Sequence, residues 1–317
     1  MKVLVVASAV LSLGLSGVAQ AANNAPRPQP PAPPVVAEPP AVKEAPPLPP
    51  PSPEALALGR RVMDAYGGVE GFNGIVDGLV DGALAGLKPD AQVMQMFGPM
   101  KTRFMSVLHA HMPELVEATA VSWAQTYSVD EMTTQLAYME SPTARGIAGK
   151  SPKLVAQLGL ELGWFVRQVM LTDPKMSKYL ADAGTADEPA LTWPAPSPES
   201  MDALMKLMAS TKLGPYLKDP DKVWGDAKRV SKKQSASSAA MEKRMKVILP
   251  ILIKDVLGII AANLTPEEIQ AQADFTQSAA GKLMQARSDK LSVAMKQNFK
   301  PVMKKIMDEV MGTSKTV

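Results

Sequence analysis

Tyr127-Ser128-Val129-Asp130-Glu131-Met132 and Leu264-Thr265-Pro266-Glu267-Glu268-Ile269 are the two stretches whose reading decides the fold. In each, a hydroxyl residue is followed three positions later by Glu. This is the capping box: the hydroxyl accepts from the third helical amide, and the carboxylate reaches back to the cap amide. Tyr127 with Met132, and Leu264 with Ile269, flank the boxes as hydrophobic staples. Ser141 and Ser278 then supply the N-caps of a further helix, with Pro142 at its favoured first position.

Outward from these caps the sequence matches itself. A shift of 137 residues aligns it without a gap from about Phe104 to Leu154, setting Pro113 opposite Pro250, Gln135 opposite Gln272 and Lys153-Leu154 opposite Lys290-Leu291. Each copy reads as an apolar helix, a short capped helix, a tight turn and a long amphipathic helix. Upstream, Pro53-Glu54 opens a helix to about Tyr66. A Gly-rich helix follows, with Phe72, Ile75, Val76, Leu79, Val80, Ala83, Leu84 and Leu87 on one face and Asp77 and Asp81 outside it. Ala, Leu and Met are abundant and β-branched runs few, which favours helix throughout. The fold expected is all-α: two repeated helical-bundle units (54–184 and 199–317), joined by a linker (185–198) rich in Pro, after a disordered Pro-rich tether (22–53).

The pattern of a capped Glu, an aromatic seven residues on (Tyr138, Phe275), then Ser-Pro/small-x-Gly/Ala-Arg/Lys resembles a family of exported bacterial domains, domain of unknown function 2059 (DUF2059). The resemblance covers Leu108 to Leu154 and Val247 to Leu291. The second copy departs from it at Ala279, where the pattern has Pro, and the first at Ala144, where it has Gly. It implies a small all-helical domain of Gram-negative envelopes, with no assigned activity.

The first 21 residues read as a signal peptide: Lys2, an apolar run from Val3 to Gly17, and the small-x-small site Ala19-Gln20-Ala21. Cleavage near Ala21 would place the mature chain in the periplasm or outside the cell. The absence of Cys excludes disulfides and a lipoprotein anchor. Even the most apolar later stretch, Val247 to Leu264, is interrupted by Pro250, Lys254 and Asp255, so no transmembrane helix is expected in the mature chain. Fourteen prolines between Ala22 and Pro53 favour an extended polyproline II spacer. At about 3.1 Å per residue its reach is on the order of 90 Å.

No catalytic, metal or cofactor-binding residue is assigned, and no cofactor is expected. Ala144 to Ser151 fits a relaxed P-loop pattern, but a phosphate loop needs a strand before it, and here a helix precedes. His109 and His111, the only histidines, diverge by about 200° on a helix and cannot chelate one metal. Met94-Gln95-Met96 offers thioethers for soft copper, yet the helical spacing of Met201, Met205 and Met208 marks Met here as core filler. The formal net charge of +3, one less without Lys2, argues against nucleic acid as partner. The local basic bias is the candidate anionic-partner contact: Lys228, Arg229, Lys232 and Lys233. Ser128, Glu131, Thr265 and Glu268 are read as structural caps. The expected function is a non-catalytic interaction module of the cell envelope whose partner is an envelope protein or an anionic membrane surface. The alternative is an envelope hydrolase using carboxylates.

Overall fold

The computed structural model describes residues 48–180, 193–209 and 237–312, and within them the fold is all-α. In chain order the helices are α1 (Pro53–Ala65), α2 (Gly68–Leu87), α3 (Ala91–Ala110), α4 (Met112–Thr126), α5 (Val129–Met139), α6 (Pro142–Met170), a single turn α7 (Pro174–Ser177), α8 (Pro198–Ala209), α9 (Ser237–Asn263), α10 (Pro266–Gln277), α11 (Ala279–Ala286) and α12 (Ser288–Met311). One isolated bridge, Pro89 to Leu180, joins the start of α3 to the end of the α7 turn.

The helix starts are set by the caps. Ser128 Oγ accepts from the Glu131 amide at 3.3 Å while the Glu131 carboxylate accepts from the Ser128 amide at 2.8 Å. Thr265 and Glu268 repeat both bonds at the same distances. Ser141 caps α6 and Ser278 caps α11. A further match lies outside the 137-residue register. Pro51-Ser52-Pro53-Glu54 and Pro196-Ser197-Pro198-Glu199 open α1 and α8, and each serine hydroxyl caps the amide three residues on. Elsewhere the two aligned stretches differ in where helices break: α3 and α4 part at His111 whereas α9 runs on through Pro250, and α6 is continuous whereas α11 and α12 part at Arg287.

Each of the four apolar clusters draws side chains from both sides of the 185–198 connector. Ile147, at the start of α6, packs with Leu264, Ile269 and Ala273. Met284 of α11, 137 positions on, packs with Tyr127, Met132 and Leu136, which are the counterparts of that trio. α6 lies antiparallel on α9, and α12 lies antiparallel on α4. Tyr138 and its counterpart Phe275 stack face to face, centroids 3.9 Å apart and planes within 8°.

Against this shared body α2 is pressed to α6 by glycine. Gly78, Gly82 and Gly86 recur every four residues along α2 and meet Ala156, Gly159 and Gly163 of α6, the two helices running in the same direction. A Cβ at Gly86 would sit 1.9 Å from the Leu160 carbonyl oxygen, and one at Gly163 would sit 1.9 Å from that of Ala83. Removal of side chains lets the backbones touch, and the gain is dispersion contact along a long seam. The larger residues of α2, among them Phe72, Val76 and Val80, turn to the cluster built on α3, α4 and α12.

Candidate functional site

The basic stretch Lys228, Arg229, Lys232 and Lys233 lies outside the described residues. The cap carboxylates do more than cap. Glu131 also pairs with Arg287 of the other half at 2.7 Å, and Glu268 pairs with Lys150 at 2.6 Å. Lys150 and Arg287 are themselves 137 residues apart, so each cap carboxylate receives a cation from the equivalent position across the 185–198 connector. Lys150, the lysine of the P-loop-like stretch, thus lies within α6 and serves an ion pair. His109 pairs with Asp77 at 2.9 Å. His111 bridges Glu309 (2.8 Å) and Glu114 (2.9 Å), tying α12 to α4; the Glu309 bond and then the Glu114 bond hold the imidazole above its usual range. Among the described residues no group of three or more His, Asp or Glu could hold a metal.

Two features carry chemistry. The first is the outer face of α12. Val293, Lys296, Lys300, Met303, Lys304, Met307 and Met311 fall within about 100° of one another on a helix of 3.6 residues per turn, and all seven are exposed. Met307 is 46% and Met311 69% exposed, unusual for large apolar side chains. Val302 and Ile306 on the opposite face are buried, which fixes the orientation. Lys304 reaches Asp308 at 2.5 Å, at the edge of this face. α3 adds exposed Met96, Phe97 and Met100 near its start. Methionine is flexible and polarizable, suited to surfaces that conform to a varied partner. Between α4 and α12 runs a shallow open groove of about 530 Å³, lined by Pro113, Glu117, Val121, Asn298 and Val302.

The second feature is internal. Glu161 of α6 is fully buried and Asp255 of α9 is 5% exposed. Burial first, opposed by the bond from the Trp193 indole and reinforced by Asp255, pushes Glu161 up to about 7. Burial, partly offset by Lys254, also raises Asp255. These carboxyls sit between packed helices and do not line the α4–α12 groove or the void of about 20 Å³ beside Tyr138 and Phe275. Both were legible as lone acids inside apolar runs, Leu158 to Phe165 and Val247 to Leu264.

No protein family model, no curated protein and no solved structure matches the chain.

Proposed function

We propose that the chain is an exported, non-catalytic binding module of the bacterial envelope, docking on an anionic membrane surface through the outer face of α12. The observation that carries this is the pairing on one exposed face of Lys296, Lys300 and Lys304 with Val293, Met303, Met307 and Met311. Apolar side chains can enter the headgroup boundary while lysine stems snorkel to phosphates. No single helix among the described residues is long and apolar enough to cross a membrane. Lys2, the apolar run to Gly17 and Ala19-Gln20-Ala21 support export. The doubled cap pattern supports membership of the DUF2059 domains, and the proline-rich stretch supports a spacer role. The carboxylate-hydrolase alternative gains no support from Glu161 and Asp255, which are enclosed between helices.

The test is sedimentation of the mature protein with vesicles of phosphatidylglycerol or phosphatidylcholine. Each lysine near an anionic surface contributes about 1 kcal/mol. Changing Lys296, Lys300 and Lys304 together to Gln should therefore weaken phosphatidylglycerol binding by about 100-fold, and raised salt should release the wild type. Met303→Ser with Met307→Ser should also weaken it. Equal binding to the neutral vesicles, or binding lost only when Lys228, Arg229, Lys232 and Lys233 become Gln, would remove α12 as the docking face.

A further inference from the structure

We propose that Glu161 and Asp255 form a proton-operated latch that holds the segment leading into α8 against the crossing of α6 and α9. The Trp193 indole donates to Glu161 Oε1 at 2.9 Å, reaching α6 from the stretch just before α8. The same residue covers α9: a Cβ added at Gly258 would lie 2.7 Å from Trp193 Cβ. One side chain therefore joins both helices to the chain entering α8. Each acid also keeps a carboxyl oxygen, Glu161 Oε2 and Asp255 Oδ2, without a hydrogen-bond partner among the described residues. Two enclosed carboxyls so placed are favoured neutral, because an unpaired buried charge is expensive.

The other half provides an internal control. The residues 137 positions from Glu161 and Asp255 are Asn298 and Ala118, at the matching antiparallel crossing of α12 and α4. There the Asn298 amide donates to Ser122 Oγ and Gln125 Oε1, both at 2.9 Å, and neither matched position carries an ionisable side chain. A neutral amide serves at the position matching Glu161, so the acid at the α6–α9 crossing adds a response to pH.

The charged surroundings favour the same reading. From α9 the ionisable groups beside the pair are Asp255 itself and Lys254. α2 meets α6 through glycines, while its Asp77 and Asp81 pair with His109 and Lys101 of α3. Residues 193–197 carry no ionisable side chain, and the buried residues of α8 are Ser200, Ala203, Leu204, Leu207 and Met208. On α6 the next cation is Arg167, six residues on. Glu161 keeps its proton in the folded chain up to about pH 7, well above its ordinary value of 4.5. The latch is therefore fully closed below about 4.5 and is lost as pH rises through 7, because the cost of an ionised carboxyl in the interior outweighs the stronger bond it accepts from Trp193 and draws in water.

The experiment is hydrogen exchange on the full mature chain at pH 6 and pH 8, expressed as protection factors for α8 and α9. Between 4.5 and 7 each pH unit shifts the opening equilibrium about tenfold, and above 7 it levels off. The wild type should lose about tenfold protection in α8, with a change in Trp fluorescence centred near 7. The Glu161→Gln variant should hold its protection within about twofold over the same span. The His111 bridge weakens in the same direction with pH, and the difference between wild type and variant isolates the latch. Should Glu161→Gln fold poorly, carboxyl-carbon NMR of the wild type reads the same proton directly. A glutamate titrating near 7 supports the latch. Full ionisation of every glutamate at pH 5.5, or identical profiles in wild type and variant, overturns it.

Discussion

Gly163→Ala should cost about 3 kcal/mol or more in urea unfolding, a large effect for one methyl group. The new Cβ would lie 1.9 Å from the Ala83 carbonyl oxygen and 2.7 Å from the Leu87 amide nitrogen, both backbone atoms that no rotamer change can move aside. α2 and α6 would have to separate along their whole shared seam, with loss at Gly82 and Gly86 as well. Gly74→Ala, on the same four-residue spacing, has nothing within 4 Å of the added atom. It should be neutral or stabilise by about 0.5–1 kcal/mol through helix propensity. Equal effects at the two glycines would mean that α2 is not seated on α6.

Trp123→Ala should cost about 3–5 kcal/mol. Trp123 is 4% exposed, with ring centroids 6.0 Å from Tyr66 and 5.5 Å from Tyr127, and its indole donates to the buried Gln135 at 2.9 Å. Truncation leaves a cavity among α1, α4 and α5 and deprives the Gln135 carbonyl of its donor. Trp123→Phe keeps most of the packing and loses the bond, so it should fall between wild type and Ala. A loss under about 1 kcal/mol for the Ala variant would contradict this placement.

The sequence carried local structure well because caps, staples and prolines act within one turn of helix. Ser128, Thr265, Ser141 and Ser278 mark helix starts by a bond to the amide three residues on, and that bond is present at each. Destination is a different matter. The apolar stripe of α6 says that it must be covered, but not that Ile147 is covered by Leu264, Ile269 and Ala273 of the other half. In the Gly-rich helix the sequence pattern lies in its large apolar residues, whereas the glycines themselves form its closest contact. Glu131 and Glu268 were fully explained by their caps, so nothing local pointed to their bonds with Arg287 and Lys150. The second Pro-Ser-Pro-Glu, at 196–199, lies eight residues out of the 137-residue register and escaped a gapless alignment. The α12 face was hidden for another reason: an exposed Met at helical spacing reads the same as a buried one until its neighbours are known.

Each half completes the other through matching contacts at equivalent positions. Zero-length carbodiimide coupling followed by peptide mass spectrometry tests it most directly, because the reagent joins an amine to a carboxylate only in direct contact. Lys304 and Asp308, 2.5 Å apart on one helix, serve as the positive control. At low protein concentration Lys150 should couple to Glu268, 2.6 Å away, and Lys305 to Glu114, 2.7 Å away, within one chain. In the Arg287→Lys variant a new link to Glu131 should join them. Coupling of Lys304 to Asp308 with none between the halves, or links found only between separate chains, would contradict it.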